Sequence, residues 1–350
     1  MDASSEAIAP ILLAWYDRNA RDLPWRARPG APPPDPYRVW LSEVMLQQTT
    51  AAAVIPYFAR FTERWPTFEA LAAAEDEEVM AAWAGLGYYA RARNLLACAR
   101  EVAARGGRFP ASEAELRKLP GLGAYTAAAV AAIAFGERAV VIDANVERVV
   151  ARLFAIAEPL PGGKATIGKR ADEITPAERP GDFAQAMMDL GATICTSRNP
   201  RCLLCPLSGS CKARQQGEPE LYPVKPAKKA RPQRSGRAFW IERDEQVWLV
   251  RRPGKGMLGG MRALPDDGWS ARGDGSGEGP LEGPWRAGGV VSHVFTHFAL
   301  DLHLALYSGD EWARLADGEW WPLDRLEEAG LPTLFAKAAR LGVARTGEDR

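Results

Sequence analysis

The chain has 350 residues, 47% of them apolar, and its 44 lysines and arginines balance its 44 aspartates and glutamates. This length allows two or three domains that each bury a core, and the balanced charge excludes any argument for a nucleic-acid partner from net charge alone. The longest apolar run, residues 126–135, is too short to cross a membrane, and no cleavable leader is evident before Tyr16. The sequence predicts a cytoplasmic protein with no membrane partner.

Two halves with different patterns follow one another along the chain. Residues 6–215 have the periodicity of successive amphipathic helices, rich in alanine, leucine and arginine. Residues 218–237 combine prolines with basic side chains, which is typical of an interdomain linker. Beyond them, short apolar runs at 239–241, 247–250 and 291–306 predict strands, the first two paired, and residues 332–341 predict a helix. We therefore predict an all-α module followed by a smaller α+β domain.

A lone acid, Glu43, lies in an apolar helical stretch and is followed by two amides and two hydroxyls at residues 47–50. Charged side chains usually face solvent, so an exposed glutamate is one interpretation. If the side chain faces a pocket, desolvation raises its pKa and makes it suited to act as a general acid near neutral pH.

Residues 112–135 have the pattern of a helix-hairpin-helix. Ser112 and Glu115 form a capping box that predicts a short helix, and an alanine-rich helix follows at Ala124. Gly121 and Gly123 between them permit a tight turn whose free backbone N–H groups, at a helix N-terminus, can bind a DNA phosphate. A glycine turn between two packed helices is the alternative that this pattern leaves open.

Asp143 follows an apolar run and stands where the N-cap of the next helix belongs. As an N-cap it would contribute about 1 kcal/mol to stability. The same position holds a carboxylate in place and keeps it ionised through the helix dipole, so a structural and a catalytic role are compatible.

Four of the five cysteines lie within seventeen residues, in the spacing C-x6-C-x2-C-x5-C: Cys195, Cys202, Cys205 and Cys211. In a cytosolic protein this crowding predicts a metal site rather than disulfides. Structural zinc usually draws on two short C-x2-4-C pairs, whereas this stretch has one, so an iron–sulfur cluster is favoured over zinc and over unligated thiols. The isolated Cys98 is predicted to be a buried core residue.

Several segments together carry a family resemblance, in order and in spacing: residues 42–49, 85–95, 119–123, 143–146, 186–192 and the four cysteines. They resemble the MutY-type adenine DNA glycosylases of the helix-hairpin-helix base-excision superfamily. The similarity covers nearly the whole chain and is strongest through residue 212. It implies a helical glycosylase domain with a 4Fe–4S loop over residues 1–217, a linker over 218–237 and a Nudix-like lesion-recognition domain over 238–345.

The resemblance implies excision of adenine opposite 8-oxoguanine, and more weakly opposite guanine, from double-stranded DNA. Glu43 matches the acid that protonates adenine N7, and Asp143 matches the carboxylate that stabilises the oxocarbenium sugar. Asn145 matches a residue that supports the acid and the sugar. Tyr125 lies where bifunctional relatives such as endonuclease III carry a Schiff-base lysine, which implies a monofunctional enzyme without strong lyase activity.

The resemblance also implies which residues contact DNA. The side chains that align with the adenine pocket are Trp25, Arg26 and Gln185. Those that align with the wedge on the 8-oxoguanine side are Gln48 and Tyr88, and their neighbours Thr49 and Leu86 are further predicted DNA contacts. The segment that resembles the loop recognising 8-oxoguanine is Phe295, Thr296 and His297, with threonine where serine is usual.

Three departures from the family pattern bear on these expectations. The proline-rich residues 28–36 look like an insertion beside the pocket, and Ala184 replaces a usual asparagine. The core of a Nudix box is missing after Gly260, so pyrophosphohydrolase activity is not expected.

Two other functions remain open from the sequence. A glycosylase for mismatched thymine or oxidised pyrimidines is opposed by Glu43 and by the C-terminal domain. A noncatalytic DNA-binding protein is opposed by the presence of both Glu43 and Asp143. We expect a monomer that associates with the nucleoid.

Overall fold

The computed structural model describes residues 7–226, 230–253 and 257–347. These residues form two compact units, one of residues 7–73 and 94–226, the other of residues 74–93 and the described residues from 230 onward. Residues 227–229 of the predicted linker lie outside the described residues. In the described ranges, no helix combines the length and apolar character needed to span a membrane.

The first half of the chain is helical, as predicted. Its helices are α1 (Ile8–Asn19), α2 (Pro36–Leu46), α3 (Ala51–Arg64), α4 (Phe68–Ala72), α5 (Asp76–Trp83), α6 (Ala90–Ala104), α7 (Glu113–Leu116), α8 (Ala124–Phe135), α9 (Ala144–Leu153), α10 (Lys164–Ile174), α11 (Pro180–Thr193) and α12 (Lys212–Gln215). Of these, α5 and the first residues of α6 belong to the second unit.

Helix α8 is the centre of the first unit. Its residues from Thr126 to Ala134 are all buried, which explains why this stretch is alanine-rich and lacks a polar face. Helix α11 packs closely on it, because a Cβ at Gly181 would lie 2.5 Å from the carbonyl oxygen of Ala132. At the other end of α11, a Cβ at Gly191 would lie 2.6 Å from Cβ of Asn145 on α9. The two glycines thus allow α11 to pack closely against α8 at one end and against α9 at the other.

The second unit contains two small sheets. Its elements beyond residue 230 are β1 (Gln233–Trp240), β2 (Glu242–Arg243), β3 (Gln246–Arg251), β4 (Arg262–Ala263), β5 (Trp285–Val294), β6 (Ala299–Tyr307), β7 (Gly318–Pro322) and α13 (Thr333–Gly347). One sheet has the order β1-β6-β5, with β1 parallel and β5 antiparallel to β6. In the other, β2, β4 and β7 each pair antiparallel with β3. The α+β prediction is confirmed.

The prediction that residues 239–241 pair with residues 247–250 is wrong for Phe239 and Trp240. Phe239 and Trp240 end β1, where they pair with Ala305 and Leu306 of β6. Asp244 and Glu245 both adopt left-handed backbone angles, and their turn joins β3 to the two-residue strand β2 instead. Apolar alternation marks a strand but does not specify its partner. The strand β1 also begins at Gln233, within the residues predicted as linker.

Candidate active site

Glu43 lies on α2 and is buried, with 4% of its surface exposed. The helix begins at Pro36 behind Asp35, whose side chain accepts a hydrogen bond from the Tyr37 amide at 2.8 Å. Burial raises the pKa of Glu43 to about 7, although a hydrogen bond from Tyr125 and the charge of Arg26 lower it. The carboxyl group is therefore partly protonated at neutral pH.

Tyr125 lies in the first turn of α8, and its hydroxyl donates the hydrogen bond to Oε2 of Glu43. Burial and the nearby carboxylates of Glu43 and Asp143 raise the pKa of the phenol well above its ordinary value. Tyr125 thus stays protonated and acts as a fixed donor. Beside it, Nε2 of Gln47 donates to Oγ1 of Thr126 at 2.9 Å, which ties the end of α2 to α8.

Asp143 is the N-cap of α9, as the sequence predicted. Its Oδ1 accepts from the amide of Val146 at 2.7 Å, and its Oδ2 accepts from Nδ2 of Asn145 at 2.8 Å. Its negative charge contributes to raising the pKa of Glu43. The structure therefore brings Glu43, Tyr125, Asp143 and Asn145 into one site.

A charge cluster centred on the buried Asp189 includes Arg26, one of the residues predicted to line the adenine pocket. Asp189 on α11 is fully buried, and its Oδ2 accepts from Nη1 of Arg26 at 2.7 Å. Its Oδ1 accepts from Nε of Arg21 at 2.6 Å. Trp25 and Gln185 are also buried, and Gln185 lies one helical turn before Asp189. Together these contacts fix Arg26 close enough to Glu43 for its charge to affect the pKa of that acid.

Sequence analysis missed Asp189 and Arg21. The available signal was the same as for Glu43, an acid inside an apolar helix, but its partners are 163 and 168 residues away in the chain.

The predicted wedge residues Gln48 and Tyr88, each with a neighbouring predicted DNA contact, belong to different units. Gln48 and Thr49 lie in the first unit, just after α2, and Gln48 is exposed with φ 58°. In the second unit, Leu86 is buried, whereas Tyr88 has φ 50° and is 48% exposed. The hydroxyl of Tyr88 is 3.1 Å from Oγ1 of Thr296, so these two residues come together although 208 positions separate them.

The segment around Thr296 joins β5 to β6. Thr296 and His297 are exposed, while the ring of Phe295 stacks on Phe298 with centroids 4.7 Å apart. Phe295 therefore anchors the loop in the domain core and leaves the next two side chains at the surface.

The helix-hairpin-helix is formed by α7, the glycine turn and α8. Ser112 caps α7 by accepting from the amide of Glu115 at 3.4 Å. Gly121 has φ 75°, and a Cβ there would lie 2.6 Å from Cβ of Asn94, so this position needs glycine. Gly123 is exposed at the N-cap of α8, which leaves the helix start open to an anion.

The four clustered cysteines are free thiols and half-buried, in the segment between α11 and α12. Two short 3-10 turns, Cys202–Leu204 and Ser208–Ser210, fold this segment. In the described ranges, no three His, Cys, Asp or Glu side chains converge on a single metal ion. Thiolates that bind separate irons of one cluster do not need to converge on a point, so the soft four-thiol set fits an iron–sulfur cluster. Cys98 is buried in α6, as predicted.

Arg148 on α9 connects the cysteine segment to Asp143. Its Nε donates to the carbonyl of Cys195 at 2.7 Å, and its Nη2 donates to Oδ1 of Asn145 at 2.9 Å. Asn145 in turn donates to Asp143. Sequence analysis did not identify Arg148, because an arginine on an amphipathic helix has no local signal that separates it from a solvated charge.

Comparison with known proteins matches three segments of the chain to family models. The model of HhH-GPD superfamily base excision DNA repair proteins matches residues 41–167, the iron–sulfur binding domain of endonuclease III matches residues 195–211, and the NUDIX domain matches residues 237–341. The adenine DNA glycosylase of Homo sapiens is 34% identical, over 97% of this chain and 74% of the human protein.

Solved structures agree with this assignment. A thermostable thymine-DNA glycosylase has a TM-score of 0.53 and 30% identity, covering 61% of this chain and 97% of that one. Endonuclease III in a non-covalent complex with DNA has a TM-score of 0.52 and 25% identity, covering 62% of this chain and 99% of that one. The matched iron–sulfur domain decides between zinc and iron for the cysteine segment, so the cofactor is a 4Fe–4S cluster. The chain belongs to the MutY-type adenine DNA glycosylases, DNA N-glycosylases of base excision repair.

Proposed function

We propose that the protein excises adenine opposite 8-oxoguanine, and more weakly opposite guanine, from double-stranded DNA, and that it does so without cleaving the strand. The observation that carries this proposal is the buried Glu43, which accepts a hydrogen bond from Tyr125 and whose pKa is affected by Arg26 and Asp143. A site with one acid and a second carboxylate is the arrangement that most glycosidic cleavage uses.

Glu43 acts as the general acid. With a pKa of about 7, it is partly protonated at neutral pH, and its protonated form donates the proton to N7 of a flipped adenine. The C1′–N9 bond then breaks, its electron pair stays with the base, and the sugar becomes an oxocarbenium ion. Water attacks C1′ and loses a proton, which leaves an abasic site.

Asp143 stabilises the cationic sugar. Two donors, the Val146 amide and the Asn145 side chain, orient its carboxylate, and the N-terminus of α9 adds a favourable dipole. These donors hold the carboxylate where it can stabilise a developing positive charge on the sugar.

Tyr125 supports a monofunctional reaction. Its side chain carries no amine, and its hydroxyl is hydrogen-bonded to Glu43. This position therefore cannot form an imine with the abasic sugar. The product should therefore be an intact strand with an abasic site.

Adenine and its partner base are recognised by different sets of side chains in this proposal. Those for the adenine are Trp25, Arg26 and Gln185. Those for the partner base are Gln48, Thr49, Leu86, Tyr88, Phe295, Thr296 and His297. The bond between Tyr88 and Thr296 supports a shared role, because it joins two predicted contact segments in the second unit. Gly121 and Gly123 bind a phosphate of the DNA backbone.

The domain division and the ligand set complete the proposal. Residues 1–217 form the glycosylase domain and residues 238–345 the lesion-recognition domain, and the protein acts as a monomer. The basic linker predicted over residues 218–237 is shorter at its end, because β1 begins at Gln233. Cys195, Cys202, Cys205 and Cys211 bind the cluster, each as a thiolate.

Single-turnover assays test the proposal. Duplexes with adenine opposite 8-oxoguanine, adenine opposite guanine, thymine opposite guanine, and thymine glycol are compared at saturating enzyme, with and without alkaline treatment. We expect fast release of adenine opposite 8-oxoguanine, slower release opposite guanine, and strand breaks only after alkali. Preferred release of thymine or thymine glycol, or strand breaks without alkali, would contradict it.

A further inference from the structure

Arg152, in the last turn of α9, is a buried arginine, with 2% of its surface exposed. Its guanidinium donates to three backbone carbonyls. The donor nitrogens are Nη1 to Thr196 at 2.6 Å, Nη2 to Ser197 at 3.1 Å and Nε to Tyr222 at 3.1 Å. Two of these acceptors directly follow Cys195, so Arg152 is bound into the first turn of the cysteine segment.

The contacts of Arg152 extend to two of the cysteine sulfurs. Its Nη1 lies 3.4 Å from Sγ of Cys195, and Sγ of Cys211 lies 3.5 Å from its carbonyl oxygen. These are the first and the last of the four clustered cysteines. One residue of α9 therefore contacts both ends of the segment.

The charge of Arg152 has no carboxylate partner among the described residues. A guanidinium keeps its charge in proteins, and a buried charge is unfavourable unless an opposite charge compensates it. Carbonyl dipoles solvate it in part. The Cys195 sulfur, once it is a thiolate, is the anion within reach.

We infer that Arg152 is the counter-cation of the iron–sulfur centre. Its guanidinium compensates the negative charge at Cys195, which stabilises the loaded segment, and it favours the more reduced form of the cluster, which carries the greater negative charge. The inference rests on the proposed cysteine ligands but not on adenine excision. Its tests need no glycosylase assay, so its failure is distinguishable from failure of the proposed function.

The test uses the full-length holoprotein and three variants. R152M removes the charge, R152K retains a charge without the planar fork, and R170M is the control, because Arg170 of the same unit is exposed and pairs with Glu173. Circular dichroism checks folding. The measurements are iron per chain, the rate of iron loss to a chelator under an oxidant, and the reduction potential by protein-film voltammetry.

We expect R152M to lose iron at least ten times faster than the wild type and to have a more negative reduction potential. R152K and R170M should stay within about twofold of the wild-type rate, with unchanged potentials. Wild-type retention and potential in a folded R152M would overturn the inference. So would an R152K protein that behaves like R152M, since the charge would then not be the cause. If R152M does not fold, R152K is the deciding variant. Wild-type iron content and a wild-type reduction potential in R152K support the inference, and a decrease in iron content or a change in the potential overturns it.

Discussion

Glu43 and Asp143 are two carboxylates of one site with opposite surroundings. Glu43 is buried in the middle of the helical unit, where desolvation raises its pKa to about 7 despite the phenol of Tyr125. Asp143 is half-buried at the start of α9, where it accepts from a backbone amide and from Asn145. Two residues of the same chemical class thus have different surroundings: Glu43 is buried beside a phenol, and Asp143 is held by two donors at the start of a helix. In the proposed mechanism, Glu43 acts as the acid and Asp143 stabilises the cationic sugar.

Removing the proton of Glu43 should have the largest effect. Glu43→Gln keeps the shape of the site, but an amide cannot protonate N7, so we expect the single-turnover rate to fall about 10³-fold. Duplex affinity should stay within about threefold of the wild type. Glu63→Gln, at an exposed glutamate of α3, is the matched control and should behave as wild type. A Glu43→Gln enzyme with a near-wild-type rate would show that the acid lies elsewhere.

Asp143→Asn separates the cap from the charge. Asparagine is as good an N-cap as aspartate, so we expect the melting temperature to change little. The rate should nevertheless fall about 10²-fold, because the oxocarbenium sugar loses its anion. A fall in stability with little loss of rate would mean that Asp143 serves only the helix.

Arg148→Met should reduce the rate by an intermediate amount, because Arg148 acts on Asp143 only through Asn145. The change removes the bonds to Asn145 and to the Cys195 carbonyl, so the orientation of the Asp143 carboxylate is less well fixed. We expect a rate loss of about tenfold with unchanged iron content, measured on the same preparation. Arg148→Lys should not restore the rate, since an ammonium cannot make both hydrogen bonds in one plane. A wild-type rate in Arg148→Lys would contradict this explanation.

Tyr125→Phe should have the smallest effect, and it acts on Glu43 alone. The phenol lowers the pKa of Glu43, so its removal should raise that pKa and extend activity to higher pH. The maximal rate should change only a few-fold, because the proton donor remains. Loss of most activity at every pH would instead assign Tyr125 a direct part in the reaction.

The sequence predicted local features of the site better than long-range ones. The cap at Asp143, the glycine turn and the four cysteines follow from short patterns, and the structure confirms the cap and the turn. The partners of Asp189 and the contact of Tyr88 with Thr296 depend on residues more than 160 positions apart, which periodicity does not specify. Strand pairing failed for the same reason, because β1 takes its parallel partner from the distant β6.

The pH dependence of the single-turnover rate tests the assignment of Glu43 as acid most directly. With saturating enzyme and adenine opposite 8-oxoguanine, we expect the rate to be constant below a pH of about 7 and to fall about tenfold per pH unit above it, because the protonated form of Glu43 is lost as the pH passes its pKa. The residual rate of Glu43→Gln should lack this step. A rate that stays constant or rises from pH 6 to pH 9 would contradict the account.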